Sequence, residues 1–255
     1  MPVLIGVPVF GQHEYTHAII GDLEREGADF VIIDNRGDYP RIGSERVITP
    51  GTNLGWAGGS DLGFRIAFSE GYSHAMTLNN DTRLSKGFVT GLLDERLPAD
   101  AGIVGPILDY GFPSAEDHDK PAAENYVPRP VYRTVGLAEG TALMLSRTCW
   151  QAIGGLDLHS FGRYGWGVDL DLALRARAAG FGVYLTEMAY INHFGRGTAK
   201  VRFGRLRYLA GANARMEWSM ARMYGPTWRR RFPPGSLPSN TGNKAIGYTT
   251  HPLED

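Results

Sequence analysis

The sequence predicts an α/β fold in which a mostly parallel central sheet is flanked by helices and followed by a C-terminal helix and a flexible tail. Residues 3–10 and 30–33 are near-continuous apolar runs, which is typical of strands buried on both faces of a parallel sheet. A helical pattern over residues 11–26 separates them, so we expect a right-handed strand–helix–strand unit. The apolar fraction of 43% over 255 residues is sufficient for one large core.

Composition restricts the classes of partner. The formal net charge is −1, so the chain as a whole gives no reason to expect nucleic acid or an anionic membrane, although a local basic patch remains open. The single cysteine, Cys149, cannot form an intrachain disulfide and suits a reducing compartment. The N-terminus lacks a signal-peptide pattern, and no run reaches the roughly 18–20 apolar residues of a membrane span, so we expect a cytoplasmic protein.

A polar turn closes the second strand, and a third short strand is expected over residues 46–49. Asp34 follows the second strand directly, at the end of a sheet strand where α/β proteins bind ligands. Its carboxylate could accept hydrogen bonds from a nucleobase imide or a ribose hydroxyl. The alternative is an aspartate that only stabilises the turn.

A glycine-rich turn follows the third strand and leads into a helix that extends through Phe68. It contains Asn53, Gly55 and Gly58, and its small residues allow the backbone to approach another group closely. The free amides of the turn and of the helix N-terminus could face an anion or a nucleotide. The glycine spacing differs from that of the dinucleotide-binding fingerprint, and a simple packing role is the alternative.

The most informative stretch is residues 74–82, whose pattern indicates a short buried strand that ends in polar side chains. Asn79, Asn80 and Asp81 stop the strand because their side chains compete with the backbone for hydrogen bonds. A carboxylate flanked by amides at this end of a strand suits a hard divalent cation that carries phosphates. A turn that only ends the strand is the alternative.

The middle of the chain continues the alternation of strands and helices. The expected elements are a helix over 86–97, a strand over 102–108, a strand over 141–146 and a short helix over 147–153. Glu139 lies just before the second of these strands. Residues 110–133 are polar with little periodicity, and we interpret them as a long surface loop, either mobile over the site or an ordered excursion with a short hairpin.

An amphipathic helix is expected over residues 169–180, with Asp169 and Asp171 in its first turn. Both acids could simply complement the helix dipole and its free amides. That alternative does not explain the preceding Tyr164, Trp166 and Gly167. A flat indole beside a carboxylate is a plausible shelf for a sugar ring.

A strand is expected over residues 181–185, and residues 187–191 lead to His193. This histidine could bind a metal or a phosphate, or it could be a structural residue. Arg196, beside a glycine and a threonine, adds phosphate-binding chemistry. A long basic amphipathic helix over 200–224 follows, which could lie on a membrane surface or a partner or could simply pack on the core. From Pro233 onward we expect a loosely ordered tail.

Taken together, these segments resemble the inverting, family 2-type glycosyltransferases of the GT-A fold, with the rhamnosyltransferase-like and galactofuranosyltransferase-like branches nearest. The resemblance covers residues 3–225. Residues 7–10 and 34–35 look like the strand ends that bind the base, and residues 53–59 look like the Asn-x-Gly-x-x-x-Gly turn. Residues 78–82 look like the Asn-Asn-Asp metal motif, and residues 164–172 look like the acidic-pair helix.

The resemblance implies a role for each candidate residue. Asp81 and His193 would hold Mn²⁺ or Mg²⁺ bridging the diphosphate of a UDP-, dTDP- or GDP-sugar. Asp169 would be the general base for an acceptor hydroxyl that attacks the anomeric carbon in one inverting displacement. The residues implied to bind the donor are Pro8, Val9, Phe10, Asp34, Asn53, Gly55, Gly58, Asn80, Asp81 and Arg196. Those implied to bind the acceptor are Tyr164, Trp166, Gly167 and Glu139.

Three positions depart from the family pattern. Val168 stands where the acidic pair has its first acid, so Asp169 is expected to act alone. Asn79 stands where the metal motif often has an acid, so we expect modest metal affinity until the donor supplies phosphate oxygens. Asp61 replaces an asparagine found in many relatives, which bears on the choice of donor.

The resemblance also implies a domain organisation and a set of partners. We expect a catalytic domain over residues 1–199, with a donor half to about residue 100, then a helical extension over 200–232 and a tail over 233–255. The resemblance does not identify the acceptor, which could be a glycan, a lipid-linked glycan, a protein or another hydroxyl compound. Peripheral contact with the inner face of the membrane through the basic helix stays open. A non-catalytic nucleotide-sugar-binding or glycan-binding protein and a sugar nucleotidyltransferase are the alternative functions.

Overall fold

The computed structural model describes residues 2–162, 165–194, 205–237 and 247–254, with the backbone alone described for residues 205–209. Within these residues, ten strands form one sheet. The strands are, in chain order, β1 Val3–Val9, β2 Asp29–Asp34, β3 Arg46–Ile48, β4 His74–Leu78, β5 Thr82–Leu84, β6 Ala101–Leu108, β7 Val131–Val135, β8 Ala142–Ser146, β9 Gly182–His193 and β10 Tyr248–Pro252. The α-helices are, in chain order, α1 His13–Arg25, α2 Gly55–Ser69, α3 Phe88–Leu92, α4 Arg147–Ile153, α5 Leu158–Phe161, α6 Val168–Ala178 and α7 Arg205–Tyr224.

The sheet has the order β10-β7-β9-β6-β8-β4-β1-β2-β3, and β5 pairs with β9 outside this path. The pairs β1–β2, β1–β4, β2–β3 and β6–β9 are parallel. The other strand pairs of the described chain are antiparallel, so β5, β7 and β8 run opposite to the remaining strands. The predicted α/β fold, with a mostly parallel sheet flanked by helices, is confirmed.

The first half of the sheet is buried, as its apolar sequence predicts. Every residue of β1 except Pro8 is buried. Helix α2 packs directly on this strand. The approach is so close that a Cβ atom added to Gly6 would lie only 3.2 Å from Cα of Gly63. The two backbones therefore meet where both residues lack a side chain.

Helix α3 is shorter than the sequence predicts, because it ends at Leu92. Asp94 starts a turn in which its Oδ1 accepts a hydrogen bond of 3.0 Å from the backbone N–H of Arg96. Gly91 lies against β9, where an added Cβ would be 2.6 Å from the carbonyl oxygen of Met188. This tertiary contact and the turn override the helical pattern beyond Leu92.

The excursion over residues 110–133 is ordered and leads into β7. Arg133 is buried, and its Nε donates a hydrogen bond of 2.7 Å to Oε1 of Glu187 on β9. The other carboxylate oxygen of Glu187 lies 2.5 Å from Nε of Arg129. Arg129 also pairs with Asp117, which is buried. Because buried charges persist when they are paired, this network attaches the excursion to the sheet.

The last two strands also differ from expectation. The sequence predicts a strand over residues 181–185, whereas β9 is one strand of 12 residues, from Gly182 to His193, with an irregular register against β6. The sequence predicts a loosely ordered tail after Pro233, yet β10 pairs antiparallel with β7. The guanidinium of Arg133 lies 4.4 Å from the ring centroid of Tyr248, a cation–π contact that helps to hold β10.

The C-terminal helix α7 packs against the short helix α5 and the acidic helix α6. Met220 and Ala212 of α7 are buried, and Ser219 donates a hydrogen bond of 2.7 Å to the carbonyl oxygen of Ser160. Within the described residues, none of the helices combines the length and the apolar character needed to span a bilayer.

The topology collects several polar positions at one edge of the sheet. Because β2, β4, β6 and β9 run in the same direction, the residues at or after their carboxyl ends lie at the same edge. Strand β8 runs the opposite way, so the residues that precede it, including Glu139, lie at this edge as well. These positions are Asp34, Asp81, Asp109, Glu139 and His193.

Candidate functional site

Asp81 and His193 lie side by side at this edge. Oδ1 of Asp81 is 3.3 Å from Nε2 of His193. Strand pairing places them there, because His193 ends β9 opposite Thr82 of β5, and the backbone N–H of Phe194 donates a hydrogen bond of 3.0 Å to the carbonyl oxygen of Asp81. The Asp81 side chain is 4% exposed and that of His193 is 17% exposed, so the pair is largely shielded from solvent but accessible to a ligand.

Asp109 supports His193 and was not identified in the sequence. Its Oδ1 accepts a hydrogen bond of 2.9 Å from the backbone N–H of His193, and its Oδ2 accepts one of 3.0 Å from the amide of Asn192. This carboxylate therefore fixes the end of β9. The available signal was its position directly after the buried strand β6, the same signal that identified Asp34 and Asp81.

The Asp81–His193 pair fits a divalent cation that is shared with a phosphate ligand. A carboxylate oxygen and an imidazole nitrogen are both ligands of Mn²⁺-type cations. Among the described residues, no three His, Cys, Asp or Glu side chains gather closely enough to hold a metal by themselves. Two protein ligands completed by substrate oxygens is the arrangement that Mg²⁺ commonly adopts with phosphates.

A second pair of carboxyl groups, Asp169 and Glu139, belongs to the same region. Asp169 lies in the first turn of α6, and its oxygens accept hydrogen bonds from the backbone N–H groups of Gly140 at 3.3 Å and Leu170 at 3.0 Å. Burial raises the pKa of Asp169 above its ordinary value, while these N–H groups oppose the rise. The carboxyl group is therefore fixed in orientation and is a stronger base than an exposed aspartate.

Glu139 interacts electrostatically with both Asp169 and His193. Burial raises its pKa to about 7, although the backbone N–H of Phe112 donates a hydrogen bond that favours the charged form. The negative charge of Asp169 raises the pKa further, and His193 lowers it. Glu139 therefore lies within electrostatic reach of both the acidic helix and the Asp81–His193 pair.

Trp56 joins three of the segments that the sequence singled out. Its Nε1 donates a hydrogen bond of 3.0 Å to Oδ1 of Asn79. A Cβ atom added to Gly140 would lie 2.5 Å from its Cη2, and one added to Gly165 would lie 3.0 Å from its Cε3. The indole thus lies between the glycine-rich turn, the end of β4 and the approach to α6. The sequence placed Trp56 in the turn motif but gave it no role in the site.

The carboxylate of Asp34 is engaged by its own turn. Oδ1 accepts hydrogen bonds from the backbone N–H groups of Arg36 at 3.1 Å and Gly37 at 2.9 Å, and Oδ2 accepts one of 3.0 Å from Tyr39. These contacts match the turn-stabilising alternative that the sequence left open. Binding of a nucleobase or ribose by Asp34 stays a prediction.

The glycine-rich turn is built by two asparagines. Asn53 accepts a hydrogen bond of 2.8 Å from the backbone N–H of Gly55, and Asn35, next to Asp34, accepts one of 3.1 Å from that of Leu54. Gly55 has φ of 68°, a left-handed conformation that glycine adopts without strain. The turn is therefore attached to the end of β2.

The remaining donor-side positions lie at the beginning of α2 and at the end of β1, because the helix already starts at Gly55. A Cβ atom added to Gly59 would lie 3.0 Å from Cβ of Pro8, so the beginning of α2 packs on the end of β1. Gly58 lies close to the Leu54 side chain. Val9 is buried, whereas Phe10 is partly exposed.

Two polar side chains in the motifs are used for packing. The Asn80 amide donates a hydrogen bond of 3.0 Å to Oγ1 of Thr16 on α1. Asp171, which is fully buried, accepts hydrogen bonds of 2.8 and 2.6 Å from Arg175 and one of 2.5 Å from the Tyr224 hydroxyl. Asp171 therefore attaches α6 to α7, whereas Asp169 faces Gly140.

The predicted acceptor positions are only partly described. Trp166 is partly exposed, and Gly167 precedes α6 with φ of 90°. A Cβ atom added to Gly167 would lie 2.8 Å from Cγ of Met216, so the turn packs closely on α7. Val168 is buried. Tyr164 and Arg196 lie outside the described residues.

The fold is similar to that of a GT-A glycosyltransferase. A crystal structure of GalNAc-T7 with UDP, GalNAc and Mn²⁺ superposes with a TM-score of 0.57 and 12% sequence identity, covering 76% of this chain. The matched region spans 44% of the GalNAc-T7 chain, which is less than half of its length. At this identity the likeness shows the fold alone. No protein-family model matches the sequence.

Three mycobacterial proteins are similar to this sequence over most of its length. The Mycobacterium bovis protein Mb1552 and the Mycobacterium tuberculosis proteins MT1576 and Rv1525 are each 70% identical over 223 residues. The matched region covers 88% of this chain and 85% of each relative, and all three are described as uncharacterized. The chain therefore belongs to the same protein family as Mb1552, MT1576 and Rv1525.

Proposed function

We propose that the protein is a metal-dependent, inverting glycosyltransferase that moves a sugar from a nucleotide-diphosphate sugar to an acceptor hydroxyl. The observation that carries this proposal is the Asp81–His193 pair, 3.3 Å apart at the ligand-binding edge of a GT-A-like sheet. Asp169 supports it from the first turn of α6, because its partly buried carboxyl group is oriented by the N–H of Gly140, next to Glu139.

On the donor side, Asp81 and His193 would hold Mn²⁺ or Mg²⁺ together with the diphosphate of a UDP-, dTDP- or GDP-sugar. The cation, when bound, neutralises the charge that develops on the departing diphosphate. The GalNAc-T7 structure of similar fold contains UDP and Mn²⁺, which supports this donor class. The glycine-rich turn on α2 and the end of β1 would contact the nucleotide.

On the acceptor side, Asp169 would be the general base. Its raised pKa makes it a better proton acceptor than an exposed aspartate, and its two backbone hydrogen bonds hold it in place. It takes the proton of the acceptor hydroxyl while that oxygen forms a bond to the anomeric carbon. The bond from the anomeric carbon to the diphosphate oxygen breaks on the opposite face, so the configuration is inverted. Because Val168 is buried and apolar, no neighbouring acid at that position shares this task.

The acceptor would rest on the approach to α6. Trp166 would offer a flat surface beside Gly167, and Glu139 offers a carboxyl group that can donate or accept a hydrogen bond near neutral pH. Tyr164, outside the described residues, stays a predicted acceptor contact. A glycan, a lipid-linked glycan and a protein hydroxyl all suit this chemistry.

The first test is donor turnover in the absence of acceptor, with added Mn²⁺. Release of nucleoside diphosphate is measured across UDP-, dTDP- and GDP-sugars for the wild type, Asp81→Asn and Asp169→Asn. We expect slow hydrolysis of one donor that requires the cation and falls by at least about 100-fold in both variants. Asp94→Asn, which alters the ion pair with Arg96 in the turn after α3, is the matched control and should retain the wild-type rate.

The outcome also decides a second candidate, a non-catalytic nucleotide-sugar-binding protein. The specific observation in its favour is that Asn79 replaces an acid and its Oδ1 is already engaged by Trp56. This candidate predicts metal-dependent donor binding by calorimetry with no release of nucleoside diphosphate, even when candidate acceptors are added. Absence of both turnover and metal-dependent binding would overturn the glycosyltransferase proposal.

A further inference from the structure

Helix α7 presents an exposed tryptophan between two arginines. Trp218 is 53% exposed, although it is among the largest apolar side chains of the protein. The guanidinium carbons of Arg215 and Arg222 lie 5.3 and 5.2 Å from its ring centroid, within the range of cation–π contacts. An indole held outward in this way has an apolar body and a polar tip, and such side chains favour the boundary between water and apolar phases.

The charged residues around this tryptophan are almost all basic. Arg229 and Arg230 are exposed in the short 3₁₀-helix that follows α7. Residues 205–237 contain seven arginines and a single acid, Glu217, in a chain whose formal net charge is −1. Glu217 is engaged by Arg229 and by the indole of Trp228. The basic residues are therefore concentrated in this part of the chain.

The opposite side of α7 is firmly attached to the protein. Tyr224 donates a hydrogen bond of 2.5 Å to the buried Asp171, and Ser219 donates one of 2.7 Å to the carbonyl oxygen of Ser160. Met220 is fully buried. Because these contacts fix the rotation of the helix about its axis, Trp218 and its arginines stay on the outward face.

We propose that this outward surface, formed by Trp218, Arg215, Arg222, Arg229 and Arg230, docks onto an anionic lipid bilayer. Arginine guanidinium groups bind lipid phosphates, and an indole inserts at the level of the headgroups. Single-stranded nucleic acid is usually bound by several aromatic residues along a charged groove, whereas this surface has one indole on a helix. The surface belongs to α7 and the 3₁₀-helix that follows it, and not to the donor edge of the sheet, so the proposal is independent of the reaction proposed above.

The test is co-sedimentation of the full chain with phosphatidylcholine vesicles, with and without phosphatidylglycerol. Binding is expected only when phosphatidylglycerol is present, and it should weaken as salt is added. The double variant Arg222→Glu, Arg230→Glu should lower the partition coefficient by at least about 25-fold, because each arginine contributes a factor of about five. Within the described residues, neither side chain donates a hydrogen bond to the rest of the chain, so folding should be unaffected.

The matched control is Arg41→Glu, Lys86→Glu, which makes the same change in charge at exposed positions outside this surface. It should bind vesicles within about twofold of the wild type. Lipids with brominated acyl chains should quench wild-type tryptophan fluorescence, and Trp218→Phe should remove that quenching. Three results would each overturn the proposal: failure of the wild type to bind anionic vesicles, equal loss in the control, or quenching that persists in Trp218→Phe. Tighter binding to a single-stranded oligonucleotide than to the vesicles would assign the surface to nucleic acid instead.

Discussion

Glu139 should make the stability of the protein depend on pH, and Glu139→Gln should remove that dependence. The carboxyl group has an ordinary pKa of 4.5 and a pKa of about 7 in the folded protein, mainly because its partly buried position removes water that would stabilise the charged form. Between these values the unfolded chain has released the proton while the folded protein retains it. The raised pKa therefore stabilises the fold fully below about pH 4.5, and this contribution is lost as the pH rises through about 7.

The magnitude follows from the two pKa values. The free energy of unfolding falls by about 1.4 kcal/mol for each pH unit in this window, which amounts to about 3 kcal/mol in total. Glutamine cannot ionise, and its carbonyl oxygen can still accept the hydrogen bond from the backbone N–H of Phe112. The difference in unfolding free energy between Glu139→Gln and the wild type should therefore grow by about 3 kcal/mol in favour of the variant from about pH 4.5 to pH 8.

Urea denaturation at several pH values, without divalent cations, measures this difference directly. Glu95→Gln makes the same substitution at an exposed position and controls for the effect of the substitution itself. A difference between Glu139→Gln and the wild type that stays constant across the pH range would refute the reasoning, because it would mean that Glu139 ionises alike in the folded and unfolded chains.

Two further predictions concern packing. Asp171→Ala should lower the free energy of unfolding by about 3–5 kcal/mol, because it removes the hydrogen bonds that this buried carboxylate accepts from the partly buried Arg175 and from Tyr224. Tyr224→Phe should cost about 1.5–3 kcal/mol through the lost hydrogen bond to that carboxylate, and equal losses in the two variants would contradict this order. Gly91→Ala should cost about 1–3 kcal/mol, because the new methyl group meets the backbone of Met188. Its control, Gly21→Ala in the open part of α1, should instead stabilise by up to about 1 kcal/mol, and thermal denaturation measures both changes.

The sequence predicted the strands that are buried on both faces, together with the short β3, and missed three strands that depend on pairing. Strands β1, β2, β6 and β8 are continuous apolar runs, because every side chain of such a strand faces the core. Strands β5, β7 and β10 have three to five residues and carry polar side chains. They form because a neighbouring strand offers hydrogen-bond partners, and a local pattern does not contain that information.

In the candidate site, too, the residues marked by a local sequence pattern could be predicted, whereas those defined by distant contacts could not. Asp81 could be identified from the abrupt change from apolar to polar residues at the end of β4. The proximity of Asp81 to His193 arises from the β5–β9 pairing, which brings together residues more than a hundred positions apart. Trp56 and Asp109 were missed because their importance lies in contacts with distant segments. Local hydrogen bonds explain why the turn interpretation of Asp34 was available from the sequence.

The last strand has a consequence for how molecules of this protein behave towards one another. β7 is hydrogen-bonded on one side to β9 and on the other to β10, so its backbone groups are not offered to a second molecule. The new outer strand, β10, has five residues and ends in Pro252, which has no N–H to donate. Loss of residues 247–254 would leave β7 as an open edge, a template on which copies could join strand to strand. The final strand thus serves colloidal stability at high protein concentration as well as the fold.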